Sequence, residues 1–207
     1  MFFFLSTSVL AEEIKITSRK QLPVDKKVVD IVINDGKQFL LTLDKEAIEL
    51  TPEGSLSLEN SVTLQSFSDL KIEKNTINKN KIDIDRYTYL TKGDGVYYGC
   101  LFDWSMSSKI VKIDPKTGEE KFFCWLKGIP SGMFYKEGKL WYLSNRNTPG
   151  SESIIRAYDE ETGKIVVFGP HVPVLDAKGL YLSDDGTIST YENCTNSLIE
   201  FEIEEEK

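Results

Sequence analysis

Gly132-Met133-Phe134-Tyr135-Lys136-Glu137-Gly138-Lys139-Leu140-Trp141-Tyr142-Leu143-Ser144 reads as two short strands joined by a tight turn. Aromatic and branched residues on both arms suit a pleated surface, and Glu137-Gly138 supplies the reversal. The pattern continues downstream. Ser153-Ile154-Ile155-Arg156-Ala157-Tyr158-Asp159 is a third strand, Glu161-Thr162-Gly163 a turn, and Lys164-Ile165-Val166-Val167-Phe168 a fourth strand. The phrase of an acidic residue, a glycine and an apolar-aromatic run recurs at Asp35-Gly36, Asp94-Gly95 and Asp185-Gly186. The four glycines are 59, 43 and 48 residues apart. A period in the forties, built from strand-turn-strand units, is the signature of small sheets fanned about one axis, a β-propeller.

The other repeats read in the same grammar. Tyr87–Leu90, Val96–Phe102, Lys109–Asp114 and Lys121–Trp125 form the second unit. Its turn Asp114-Pro115-Lys116-Thr117-Gly118 echoes Asp159-Glu160-Glu161-Thr162-Gly163, 45 residues later. Proline pre-sets φ and glycine supplies φ > 0, so the likeness has a mechanical cause. The first unit runs through Val28–Ile33, Gln38–Leu43 and Ala47–Leu50. The fourth has only Gly179–Leu182, Thr187–Tyr191 and Leu198–Ile203. A blade short of one strand leaves an open edge. Glu13-Ile14-Lys15-Ile16-Thr17 alternates as a strand and belongs to no other unit, so it is expected to pair with 199–203 and close the ring. The expected fold is therefore all-β: a small propeller of four blades, each of four antiparallel strands. Its repeats lie at 28–65, 86–126, 132–169 and 179–203 plus 13–17, within one domain over 12–207. The polar stretch 66–85 is an elaborated loop. A partial ring of a larger propeller and a two-sheet sandwich are the competing geometries.

The 207 residues carry a net charge of −8. That disfavours nucleic acid and anionic membrane, both of which reward clustered Lys and Arg. Residues 1–11 resemble a secretory leader. Val9 and Ala11 occupy the small-residue positions of a cleavage site, although a basic start is missing. The stretch is too short to span a bilayer. Export to the periplasm or beyond is the expected localisation. Cys100 and Cys124 fall on strands two apart, roughly 9–10 Å away from each other and beyond disulfide reach. With Cys194 they are expected to be buried, free thiols. Trp125 and Trp141 are read as blade-packing residues. His171, between Pro170 and Pro173, is read as part of a rigid loop between blades, and Glu204–Glu206 as a solvated tail.

The repeats resemble those of NHL, quinoprotein-like and gluconolactonase-type propellers. The likeness rests on Leu140-Trp141-Tyr142-Leu143-Ser144-Asn145 after Glu137-Gly138 and on Ile113-Asp114-Pro115-Lys116-Thr117-Gly118. It is one of repeat grammar, best over 86–203. The lactonase resemblance implies an alternative function, a hydrolase with Ca²⁺ or Mg²⁺ in the central channel. Asp103, Asn145 and Glu192 are its candidate oxygen ligands.

Motifs for nucleophilic, zinc or phosphate chemistry do not occur. The expected function is thus a non-catalytic binding propeller for a protein, peptide or glycan. Its compact glycine turns all fall on one face. The longer loops fall on the other, where functional groups concentrate. Asp103, Trp104, Asn145, Arg146, Glu192 and Asn193 are the candidate ligand-binding residues there. Trp104 offers an apolar plane, Arg146 a fork for carboxylate or phosphate, and the acids and amides hydrogen bonds. No cofactor is expected outside the lactonase alternative. Asn193-Cys194-Thr195 is also a formal glycosylation sequon, and otherwise a plain turn.

Overall fold

The computed structural model describes residues 13–34, 37–51, 55–63, 82–83, 86–103, 107–145, 152–183 and 185–204. The leader-like residues 1–11, Trp104, Arg146 and most of 66–85 lie outside them. The described residues form four antiparallel sheets of four strands each. Numbered in chain order, blade 1 is β2 (Val28–Asn34), β3 (Lys37–Thr42), β4 (Glu46–Leu50) and β5 (Leu56–Thr63). Blade 2 is β6 (Tyr89–Lys92), β7 (Tyr97–Asp103), β8 (Ser107–Ile113) and β9 (Glu120–Lys127). Blade 3 is β10 (Ile129–Lys136), β11 (Lys139–Asn145), β12 (Glu152–Asp159) and β13 (Ile165–Leu175). Blade 4 is β14 (Ala177–Leu182), β15 (Ile188–Glu192), β16 (Ser197–Glu204) and, on its outer edge, β1 (Glu13–Gln21). This is a four-bladed β-propeller with β2, β6, β10 and β14 innermost.

The closing strand pairs as expected, with Glu13 opposite Glu204, Ile14 opposite Ile203 and Ile16 opposite Phe201. The edge that three strands would leave is thereby covered. The two echoing turns are built alike. Asp114 Oδ1 accepts from the backbone N–H of Lys116 (2.7 Å) and Thr117 (2.8 Å). Asp159 Oδ1 accepts from the Thr162 N–H (2.8 Å) and hydroxyl (2.9 Å). Gly118 and Gly163 follow at φ 75° and 66°, the left-handed region open to glycine. The donors hold both carboxyls below the usual aspartate range.

The apolar core lies between blades. Tyr98, Ile110 and Leu126 of blade 2 meet Met133, Leu140 and Tyr142 of blade 3. Trp141, Ile155 and Phe168 of blade 3 meet Ile188, Ile199 and Phe201 of blade 4. Tyr191 and Leu198 of blade 4 meet Val28, Ile31 and Leu40 of blade 1. Across the remaining seam the described apolar residues form two separate clusters. One contains Tyr97, Val111 and Ile113 of blade 2, the other Val32, Phe39 and Leu41 of blade 1.

Three expectations meet this structure differently. Cys100 and Cys124 both pair with Ile110, one on each side, so β8 separates them; both are buried and free, whereas Cys194, in the turn between β15 and β16, is free but exposed. Trp141 is buried and stacks on Phe134 and Phe168, at centroid distances of 5.8 and 4.4 Å. Trp125 does not pack between blades. It is 48% exposed on outer strand β9, beside Phe122 at 57%. An outer strand lacks a neighbour beyond it, so aromatic character there does not entail burial. The segment containing His171 is also not a loop. β13 continues to Leu175, with Val172 opposite Ser153 and register shifts along the way. β13 is an edge strand with register shifts, the two settings in which proline occurs within sheets.

Candidate ligand-binding site

Register places Asp103, Asn145 and Glu192 at equivalent points of three blades. Each ends the second strand and faces a serine at or near the start of the third: Ser107, Ser153 and Ser197. The backbone thus gathers the expected rim at one end of the propeller. The side chains of Asp103 and Asn145, and all of Trp104 and Arg146, lie outside the described residues. Glu192 and Asn193 are described, and both serve the fold. Glu192 is 2% exposed and pairs with Arg19 of β1 at 2.8 Å through Oε2. The Thr195 hydroxyl donates to the same oxygen, and the Leu175 N–H donates to Oε1 at 2.7 Å. One carboxylate therefore binds the closing strand, the blade 3–4 junction and its own hairpin.

Asn193 links blade 4 to blade 1. Its Oδ1 accepts from the Val28 N–H, and its Nδ2 donates to the Val28 carbonyl, both at 2.9 Å. The amide imitates a strand partner, and the same Nδ2 is the atom that a glycan would need. Asn193→Ala removes both bonds beside a fully buried Val28. It is expected to cost about 1–3 kcal/mol of stability, read from urea melts.

A concavity at the axis opens on the opposite, tight-turn face. All four inner strands line it, and its volume is about 300 Å³. Asp30, Tyr89, Thr91, Tyr97, Phe134 and Tyr181 are among its walls. Asp30 is 6% exposed. Tyr89 lies near it, and the phenol is held well above its ordinary pKa, first by burial and then by the Asp30 charge. A second concavity of about 450 Å³ runs outward between blades 3 and 4 and shares Phe134 and Leu182 with the first. Lys136, Lys139, Trp141, Asp185 and Glu202 border it. On the loop face, a depression of about 330 Å³ lies between Asp25, Lys26, Asp176 and Cys194.

One wall of the axial mouth is braced across the blade 2–3 seam. Tyr135 stacks on Tyr98 with centroids 4.6 Å apart. Both phenols donate to Glu160 Oε2, at 3.2 and 3.3 Å, and Lys112 pairs with its other oxygen. Burial opposes the Glu160 charge. Lys112 and the two phenols outweigh it, and the carboxyl titrates below its ordinary 4.5. A depressed folded pKa contributes stability above the unfolded value and loses it as pH falls through the folded one. The urea midpoint is therefore expected to drop as pH is lowered from about 4.5, the ordinary glutamate value. Lys112→Met is expected to flatten part of that slope, and an unchanged slope would show that the brace contributes nothing.

The sequence reading did not select Asp30, Tyr89 or Thr91. A signal was present: Asp30 interrupts the run Val28-Val29-Asp30-Ile31-Val32-Ile33. Among the described residues, no three His, Cys, Asp or Glu side chains converge in metal-binding geometry.

No family model matches the chain, and no curated protein sequence matches it. Similar folds occur among solved structures. The WD40 β-propeller domain of Doa1 is 10% identical, with 94% of this chain and 98% of that one covered and a TM-score of 0.43. The computationally designed Ika4 protein is 12% identical, with 86% and 94% covered and a TM-score of 0.39. BBS1N, solved in complex with ARL6DN, is 11% identical, with 81% and 47% covered and a TM-score of 0.37. Likenesses at this level specify no ligand.

Proposed function

We propose that this protein is an exported, non-catalytic propeller that binds a protein or peptide at the mouth of its channel. The observation that carries this reading is that Phe134 and Leu182 wall both the axial concavity and the one between blades 3 and 4. Two adjoining hollows, aromatic and edged with charge, suit successive residues of an extended chain. The export reading rests on the leader-like residues 1–11. Cleavage after Ala11 would retain Glu13–Gln21 of β1, so the exported protein is expected to begin at Glu12 on N-terminal sequencing.

The lactonase alternative draws no support from Glu192, whose two oxygens are engaged by Arg19, Thr195 and the Leu175 N–H. Millimolar Ca²⁺ is expected to leave the melting temperature unchanged, since only a ligand that binds the native state raises it. A clear rise would favour the hydrolase. The direct test is a photo-crosslinking residue at Thr91 in the exporting cell. Adducts are expected there and not at Lys45, in a hairpin of the opposite face. Loss of those adducts on plugging the channel with Tyr181→Trp supports the reading. Absence of adducts at Thr91 refutes it.

A further inference from the structure

The inner strands do not treat the axis alike. In β10, Gly132 follows a register shift and stands opposite Leu143. A Cβ there would lie 2.3 Å from the Leu180 nitrogen and 2.4 Å from the Gly179 carbonyl carbon. Gly179 in β14 likewise leaves no room, its Cβ falling 2.3 Å from the Ile31 nitrogen. Backbone therefore touches backbone from blade 3 to 4 and from 4 to 1. In β2 the matching place, after the matching register shift and opposite Leu41, holds Asp30. The repeat thus puts a carboxylate where blade 3 admits only glycine.

That carboxylate is almost wholly buried, in the wall of a cavity. Its Oδ1 accepts from the Ile31 N–H at 3.0 Å. The other walls are rich in rings, from Tyr89, Tyr97, Phe134, Tyr135 and Tyr181. Ring faces attract cations, and a carboxylate at their base supplies the counter-charge. Lys92 stands at the exposed lip. A planar guanidinium meets both demands, since it stacks on rings and forks onto a carboxylate, whereas an ammonium is a more strongly hydrated point charge. The adjoining groove at Phe134, Leu182 and Trp141 offers apolar contact for a residue beside it.

We infer that the channel mouth receives an arginine side chain of the bound peptide, countered by Asp30, with an apolar neighbour of that arginine on Phe134 and Leu182. This inference rests on the peptide-binding reading above. The test uses four acetylated, amidated tetrapeptides, Ala-X-Phe-Ala, with X arginine, lysine, citrulline or glutamate, titrated calorimetrically into the exported protein. Arginine is expected to bind at least tenfold tighter than citrulline, its uncharged near-isostere, with lysine between them. Asp30→Asn is expected to abolish the arginine–citrulline difference. Equal binding of arginine and citrulline by the unaltered protein overturns the inference, and this arm needs no variant to fold. Discrimination that survives in a folded Asp30→Asn protein overturns it too. If none of the four binds while Thr91 still crosslinks a partner, the arginine assignment falls and the binding reading stands. If crosslinks are also absent, both fall.

Discussion

Gly132→Ala is expected to destabilise the protein by about 3 kcal/mol, and Gly179→Ala by about 4. Each new methyl would meet backbone, not a side chain that can swing aside. Gly179 carries a second penalty, because its φ of 71° is left-handed. Small domains hold about 5–15 kcal/mol of stability, so either change removes a large share. Gly138→Ala is the control. It has a similar φ of 76° but nothing within 4 Å of the new Cβ, so it is expected to cost only about 1–2 kcal/mol, the backbone term alone. Urea denaturation of the three variants separates contact from conformation. If Gly132→Ala and Gly138→Ala behaved alike, the inner strands would not be in backbone contact.

Removing β1 is expected to have a larger effect still. A chain starting at Leu22 loses the strand that covers β16 and leaves Glu192 buried without Arg19. Breaking a buried ion pair from one side costs about 3–5 kcal/mol, to which the lost packing of Ile16 against the blade 3–4 core adds. The truncated chain is expected to lack cooperative unfolding at 25 °C. A synthetic peptide of residues 12–21, added in trans, is expected to restore the near-ultraviolet circular dichroism by docking on the open edge. At high protein concentration, exchange of β1 between chains is the competing route to the same pairing. A truncated chain as stable as the whole would show that closure is dispensable.

The architecture was legible because its determinants are local. Asp114-Pro115-Lys116-Thr117-Gly118 and Asp159-Glu160-Glu161-Thr162-Gly163 carry their own hydrogen-bond acceptor, their own glycine and a spacing that repeats. The closing strand was legible by subtraction, since 13–17 alternates and has no other partner. Burial on outer strands was not legible. Trp125 looks like core by composition, but its exposure is set by what lies beyond β9, and that is a property of the assembled wheel. His171 was misleading for a related reason, because prolines are compatible with a strand at a sheet edge and at register shifts, and β13 has both. The candidate site was only half legible. Register does align Asp103, Asn145 and Glu192, yet Glu192 and Asn193 hold the blades together. Asp30 was passed over because its meaning depends on comparison with Gly132 across blades, at a place where only the three-dimensional contact explains the glycine.

The pairing of β1 with β16 also sets an order of events. β1 leaves the ribosome well before β16, so for most of the intervening synthesis it has no partner. Vectorial synthesis can assemble blades 1 to 3 in turn, but the fourth stays incomplete until β16 has emerged. A nascent chain held open in this way keeps its blades separable, and locks only once β1 and β16 can meet.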